Sequence, residues 1–300
     1  MEKINFKKVI VIPKLSKYEL DLRTFKLTHE ELIEKYKREG VNADKVLSTY
    51  RVQKINREKL ASIIPEAKFM QRDDLTKETI KNFDILISLG GDNHFMYVSN
   101  FADNKLLIGI NSDPKSSEGA LTSFNIETFE AFIPNLISGN YKIEEWTRLK
   151  VELNGKTLWP LITCDLFLGE QERWNMSRHI IKFKGKEEEQ KGSGLLVTTG
   201  AGSTGWYDSA VRYIKEKGEK ISHLDKKGVF LLTEPYKGKL SGCELIHEPF
   251  EEGDKVEVDS LNDSKGVISI DSLWVFNFNR GDKVVFSVSD KPLKVITNSL

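Results

Sequence analysis

Three short runs in the first third of the chain are apolar at almost every position: Val9-Ile10-Val11-Ile12, Ile85-Leu86-Ile87-Ser88-Leu89 and Leu106-Leu107-Ile108-Gly109-Ile110. Successive side chains of a strand point to opposite faces, so a strand that is apolar throughout must be covered on both. Helical patterns separate these runs. Thr28-His29-Glu30-Glu31 has the form of a capping box and opens a helix that stops near Gly40. Leu60 to Ile64 reads as a helix end closed by Pro65, Lys68 to Met70 as a short strand, Thr76 to Asn82 as a short helix and Thr128 to Ile137 as another. Strand alternating with helix in this way predicts an α/β N-terminal domain built on a parallel sheet.

In such sheets, ligands lie beyond the carboxyl ends of the strands. Gly90-Gly91-Asp92 falls there, and so does Asn111-Ser112-Asp113-Pro114 after the next strand. A second glycine-rich segment, Gly200-Ala201-Gly202-Ser203-Thr204-Gly205-Trp206, follows the run Leu195 to Thr198. Glycine turns the backbone sharply and lets a ligand approach where a Cβ would block it. Two such loops, the first tipped by a carboxylate, suggest a phosphate donor and a second substrate. A helix beginning near His94 would add its positive N-terminal dipole to the first loop. His94 itself reads as a first-turn residue of that helix, the alternative being a phosphate contact. The other histidines show no metal-ligand spacing.

The pattern changes after the helix near Thr128. Trp146 to Leu153 alternates in strand fashion, and Asn154-Gly155 is a hairpin signal. Strand-like runs recur at 161–168, 179–183, 195–198, 229–232, 255–258, 267–270, 283–288 and 293–296, with one helix from Tyr207 to Lys217. We therefore expect an α/β nucleotide-binding domain over residues 1–138 and an all-β, sandwich-like C-terminal domain from 139 to 284. Gly139 to Ile143 reads as a linker, and Glu187-Glu188-Glu189 as a solvated hairpin tip. The 45 basic and 45 acidic residues cancel, which gives no electrostatic reason for a nucleic-acid or membrane partner. Two cysteines form no disulfide framework and fit a reducing compartment. The N-terminus shows neither a signal region nor a presequence, and no apolar stretch approaches the roughly 20 residues that span a bilayer. The expectation is a cytoplasmic protein.

These motifs, taken together, resemble the NAD kinases. Strand-Gly-Gly-Asp, then Gly-Ile-Asn-Ser-Asp-Pro-Lys-Ser-Ser-Glu-Gly at 109–119, then Thr-Gly-Ala-Gly-Ser-Thr-Gly-Trp at 199–206 are in order and in register. The Asn-Ser-Asp-Pro loop and Trp206 look most like the mitochondrial-type branch, as does Val11-Ile12-Pro13-Lys14 followed by Tyr18-Glu19-Leu20. The resemblance implies the Rossmann-like, NAD kinase/diacylglycerol kinase-like fold and transfer of the ATP γ-phosphoryl to the 2′-hydroxyl of the adenosine ribose of NAD. It implies Asp92 as catalytic base, or as ligand of Mg²⁺ on the phosphates, with Gly90, Gly91 and Asn93 around the donor phosphates. Asn111, Cys164, Asp165, Ser203, Thr204, Gly205 and Trp206 correspond to positions that bind the dinucleotide. It also implies that the C-terminal segment, about 285–300, packs back on the first domain, and that the protein is a homodimer or homotetramer. Asn111 is read equally as an Asx turn before Pro114, and Ser203 as a helix N-cap with Trp206 in the core.

Four departures from the family pattern stand out. Asn93 replaces a glycine, where asparagine is the residue best able to keep a left-handed backbone. Cys164-Asp165 replaces the Asn-Glu pair that grips the ribose diol, Ser193 replaces an aspartate between two glycines, and Asp271-Ser272 replaces an Asp-Gly turn. They leave two alternatives: a related kinase acting on another nucleotide or sugar, or a non-catalytic nucleotide-binding protein whose donor loop Asn93 crowds.

Overall fold

The structure, a computed structural model, describes residues 1–212, 221–239 and 241–298. The chain forms two compact units, Met1–Glu144 with Lys294–Leu300, and Glu145–Leu293.

The first unit is a sheet of β1 (Val9–Pro13), β2 (Lys68–Phe69), β3 (Ile85–Gly90), β4 (Leu106–Asn111), β5 (Lys142–Trp146) and β18 (Leu293–Thr297) in the order β2-β1-β3-β4-β18-β5. The pairs β1–β2, β1–β3, β3–β4 and β4–β18 are parallel. Its helices are α1 (Lys17–Phe25), α2 (His29–Arg38), α3 (Ala43–Ile63), α4 (Asp92–Ser99) and α5 (Ile126–Ser138). One sheet face, with Val9, Val11, Ile85, Ile87, Ile108 and Ile110, packs on Leu60 of α3 and on Phe129 and Leu136 of α5. The other face meets α4. A Cβ on Gly109 would lie 2.7 Å from the Phe95 ring, so glycine at this strand position lets the helix seat closely. Burial on both sides is what the continuous apolar strands required. The capping box Thr28–Glu31 starts α2 as expected, and a second one, Ser16–Glu19, starts α1.

Several local expectations are corrected. Residues 76–82 form successive turns, not a helix. The Thr76 and Thr79 hydroxyls bond nearby backbone groups and offer the chain an alternative to helix. Lys142 and Ile143 are strand residues of β5, so the linker reading fails beyond Tyr141. Trp146 ends that strand rather than opening the next.

The second unit holds β6 (Leu149–Leu153), β7 (Lys156–Thr157), β8 (Asp165–Glu170), β9 (Ser177–Phe183), β10 (Lys186–Gly192), β11 (Gly194–Thr198), β12 (Lys227–Thr233), β13 (His247–Glu251), β14 (Val256–Ser260), β15 (Gly266–Ile270), β16 (Trp274–Asn277) and β17 (Lys283–Val288). They form two sheets, β10-β9-β14-β17-β6-β7 and β13-β12-β11-β8-β15-β16. Leu149, Val151, Ile181 and Phe286 of one sheet share a core with Leu166, Leu195, Phe230 and Ile268 of the other, which makes a sandwich. Asn154 and Gly155, at φ 51° and 79°, turn the β6–β7 hairpin. Glu187 to Glu189 lie within β10, and the hairpin tip is Lys184-Gly185, whose φ values of 46° and 78° supply the turn. Residues 161–164 precede β8 rather than belong to it, and Asp271 takes amides of this segment as described below. The helix after the second glycine loop, α6, spans Trp206–Val211; residues 213–217 of the expected helix lie outside the described residues.

Candidate active site

The strand order 2-1-3-4 reverses direction between β1 and β3, and the crevice beyond that switch point is where open α/β sheets bind ligands. Gly90 ends β3 there, Gly91 is the N-cap of α4, and Asp92 is its first residue. Gly91 has no side chain with which to cap the helix. The His94 and Phe95 amides donate to the Gly91 carbonyl at 2.9 and 3.0 Å, which leaves the Asp92 and Asn93 amides without an acceptor at the helix's positive end. Asp92 is half-buried. Its Oδ1 accepts the Leu121 amide at 2.8 Å, and Oδ2 has no partner among the described residues.

The 111–122 loop braces this turn. Asn111 Oδ1 accepts from the Asp113 amide at 3.0 Å, the Asx turn read from the sequence, and its Nδ2 donates to the Ser117 carbonyl at 3.2 Å. The side-chain amide of Asn111 is thus committed to its own loop. Ser112 donates its N–H to the Gly90 carbonyl at 3.3 Å, and its own carbonyl accepts from Asn56 of α3 at 2.9 Å. A Cβ on Gly91 would lie 2.5 Å from Ser117 Oγ.

Asn93 is exposed and lies inside α4, with no positive φ. The left-handed conformation expected there is not required, because the helix starts at Asp92 and carries position 93 in ordinary right-handed backbone. His94 is buried and its Nε2 donates to the Ile12 carbonyl at 2.8 Å. Burial holds its pKa down at about 4 against that hydrogen bond, with Arg72 and Lys14 adding to the depression. A neutral, enclosed imidazole is a packing residue of the helix, and the phosphate-contact alternative drops out. A Cβ on Gly90 would strike this ring at 2.7 Å, so the glycine makes room for it.

In the second unit, Asp271 is fully buried in the turn after β15. Its carboxylate accepts from the amides of Thr163 at 3.1 Å, Cys164 at 2.8 Å and Asp165 at 3.1 Å. Asp271 and Ser272 both have positive φ, 52° and 55°, so Ser272 takes the conformation that a glycine would take without strain. Asp271 thereby fixes the segment carrying Cys164 and Asp165. The glycine loop seats on that segment: the Thr199 amide donates to the Cys164 carbonyl at 2.9 Å, and Thr199 Oγ1 to the Thr163 carbonyl at 2.6 Å. A Cβ on Gly202 would lie 2.4 Å from the Cys164 carbonyl and 2.6 Å from Asp165 Oδ1. Cys164 is buried. Asp165 Oδ1 is buried without a hydrogen-bond partner. Burial pushes the carboxyl up to about 7; the Thr198 hydroxyl opposes this and the neighbouring Asp271 charge adds to it.

Ser203 is not the N-cap of α6, as the sequence suggested. Its hydroxyl donates to the Gly200 carbonyl at 2.7 Å, closing the loop on itself, and Gly205 occupies the N-cap. Thr204 and Gly205 are exposed at the loop tip. Trp206 is half-buried rather than a core residue. It stacks on Phe167 at 5.3 Å with 29° between planes, and the Arg173 guanidinium lies 5.4 Å from its ring. It lines a cavity of about 470 Å³ with Ser209, Ala210, Leu231, Thr233 and Glu234. The structure thus gathers Gly90, Gly91, Asp92 and Asn111 in the first unit, and Cys164, Asp165, Ser203 and Trp206 in the second. Leu121, Phe167 and Arg173 escape a reading of the sequence, since none lies in a glycine motif. Asp271 was noted only as part of a departure from an Asp-Gly turn, and its hold on the 163–165 amides had no signal in the sequence.

A doubly wound sheet with a glycine–aspartate turn at its switch point, continued in the same chain by an antiparallel sandwich bearing a second glycine loop, is the fold of solved NAD and NADH kinases. A solved NAD kinase from Archaeoglobus fulgidus, in complex with ATP, superimposes with a TM-score of 0.65 over 97% of this chain and 94% of its own, at 18% identity, which establishes the fold. A probable NADH kinase of Oryza sativa subsp. japonica is 26% identical over 250 residues, 76% of this chain and 74% of its own length. An NAD kinase of Campylobacter jejuni is 31% identical over 180 residues, 58% of this chain and 60% of its own. No family model matches. The chain is thus similar to NAD and NADH kinases over about three quarters of its length.

Proposed function

We propose that this protein transfers the γ-phosphoryl group of ATP to the 2′-hydroxyl of the adenosine ribose of NAD, giving NADP. The observation that carries the reading is Asp92. Its carboxylate stands at the switch point, oriented through one oxygen by the Leu121 amide, with the other oxygen uncommitted beside the uncapped start of α4. Phosphoryl transfer depends on positioning and charge stabilisation. The α4 amides suit phosphate oxygens, and the open Asp92 oxygen suits acceptance of the ribose proton. Among the described residues no group of three His, Cys, Asp or Glu side chains forms a metal site. A lone carboxylate nevertheless fits Mg²⁺, which is held through one or two carboxylates and the substrate's own phosphates. Asp92 would hold it, and the ion would neutralise phosphate charge.

The acceptor is assigned to the second unit. Asp165 offers the ribose diol a carboxyl with one oxygen unpaired, and the Ser203–Trp206 loop offers exposed backbone and an aromatic face. The non-catalytic alternative rested on Asn93 obstructing the donor turn, and that residue sits within the first turn of α4 instead. The alternative of another ribose-bearing acceptor draws on Cys164, whose buried thiol is a weaker hydrogen-bonding group than an amide. A cytoplasmic location and assembly into a homodimer or homotetramer belong to the same proposal, the former supported by two unbridged cysteines.

The test supplies purified protein with Mg²⁺, ATP and either NAD or NADH, and assays the 2′-phosphorylated product, with NADP read by an NADP-specific dehydrogenase. NADP formation is the expected result. Release of ADP only with a different acceptor moves the assignment to that acceptor. Trp206→Ala is expected to raise the acceptor KM about tenfold and to leave the ATP KM unchanged; an unchanged acceptor KM removes the second loop from the site.

A further inference from the structure

Ser193, the residue that stands between two glycines in place of an aspartate, meets a charged pair at the rim of the Trp206 cavity. It joins β10 to β11, and its amide donates to the Thr233 carbonyl at the end of β12 at 2.9 Å. Its hydroxyl donates to Oε2 of Glu234. A Cβ on Gly192 would lie 2.7 Å from the Thr233 carbonyl and 3.2 Å from that of Glu234, so the two segments are in close contact. Glu234 has a φ of 51°, a left-handed backbone that is strained for a residue with a side chain. The Ser193 hydroxyl and the fixed backbone hold this carboxylate on the cavity wall, which Arg173 also lines.

The Arg173 guanidinium lies 5.4 Å from the Trp206 ring and 6.0 Å from the Phe167 ring, and the two rings stack on each other. The ring quadrupoles attract the cation and hold it there. It donates no hydrogen bond among the described residues: its contact with Glu234 Oε2 is 3.7 Å, beyond hydrogen-bond distance. The two side chains are 45% and 74% exposed, and a pair this open and this long is weak. Arg173 thus keeps a planar fork of donors, positioned but uncommitted, and such a fork matches phosphate oxygens. Leu166 and Leu168 of β8 point into the sandwich core, so Asp165 and Phe167 share the opposite face, about 7 Å apart along the strand. A ribose engaged by Asp165 has the Arg173 fork within reach of the group on its 5′ carbon.

Resting on the acceptor assignment above, we propose that Arg173 binds the pyrophosphate of the dinucleotide, and that Glu234, held by Ser193, is the counter-ion which this pyrophosphate displaces. An aspartate at position 193 would set a second negative charge against Glu234, whereas serine donates to it and keeps it beside Arg173. Arg173 selects a dinucleotide over a nucleoside, and Glu234 sets how strongly. An acceptor without phosphate gains nothing from the guanidinium, and one with a pyrophosphate competes with the carboxylate for it.

Calorimetric titration of the full chain with NAD, ADP-ribose and adenosine tests this without turnover. ADP-ribose keeps the pyrophosphate and lacks the nicotinamide, and adenosine keeps only the ribose and its base. Arg173→Gln is expected to weaken NAD and ADP-ribose about tenfold and to leave adenosine unchanged. Glu234→Gln is expected to strengthen both pyrophosphate ligands about threefold, again with adenosine unchanged. The proposal is overturned if Arg173→Gln binds NAD as the parent does, if adenosine weakens in parallel with NAD, if Glu234→Gln fails to strengthen NAD, or if the parent chain binds no NAD. The expected binding profile without NADP formation would instead count against the phosphoryl-transfer reading and leave the Arg173 site standing.

Discussion

At the scale of single residues, the buried carboxyl of Asp165 is the sharpest case of structure set against stability. Its Oδ1 has no partner, and burial lifts its pKa from 3.8 to about 7. A carboxyl raised in the folded state contributes stability that is fully present below the unfolded value and is lost as pH rises through the folded value. The protein is therefore expected to lose stability between about pH 4 and pH 7 on this residue's account. Asp165→Asn keeps the shape and removes the charge. Relative to the parent, its Tm is expected to rise by roughly 5 °C more at about pH 8 than at about pH 5, measured by calorimetry in matched buffers. A difference independent of pH would mean that the carboxyl is not confined as described. The same variant is expected to raise the acceptor KM. Asp165 was legible as a carboxylate among apolar strand residues in need of a partner. Asp271 was visible only as a departure from a turn pattern. The amides it binds lie 106 to 108 residues earlier, a distance over which no local pattern reports.

At the scale of elements, glycines at positive φ separate turns that serve the site from turns that only reverse the chain. Gly119, at φ 72°, faces the Asn111 amide so closely that a Cβ would lie 2.5 Å from Nδ2. Gly119→Ala is expected to cost about 1–3 kcal/mol and to lower kcat, since Leu121, two residues on, anchors Asp92. Gly155, at φ 79°, has open space around it, and a Cβ there would meet nothing within 4 Å. Gly155→Ala is expected to cost about 1 kcal/mol and to leave kcat unchanged. Urea unfolding with parallel initial-rate assays distinguishes the two; equal effects on kcat would contradict the assigned brace. The buried strands were legible because continuous or alternating apolar residues announce them. β10 and β16 were not, because they are edge strands. An edge is kept soluble by charge, as Glu187-Glu188-Glu189 shows, and that charge hides the period-2 signal. α1 escaped for a related reason, since few of its side chains are apolar, although Ser16 and Glu19 spelled its capping box.

At the scale of the whole molecule, the chain leaves the first unit near Glu144 and returns to it at Lys294, where β18 pairs with β4 through Lys294–Leu106 and Val295–Leu107. Val295 and Ile296 are fully buried. Removal of residues 293–300 exposes the β4 edge and is expected to lower the Tm by more than about 10 °C, each large buried side chain being worth roughly 2–5 kcal/mol; a truncated chain as stable as the parent would contradict the observed sheet. The division into an α/β part and a β part was legible from the change in hydrophobic period. The return strand was legible as the apolar run 293–296, but its partner β4 was not, because a parallel pairing between residues so far apart in sequence leaves no local signature. The account as a whole turns on the carboxylate at position 92, which the first unit holds and orients. The most direct measurement compares NADP formation from ATP and NAD by the parent and by Asp92→Asn, which preserves the side chain's size and the acceptor for the Leu121 amide. A fall in kcat of about a hundredfold or more, with the ATP KM within a few-fold of the parent, is the predicted result. Undiminished turnover in the variant would contradict the account.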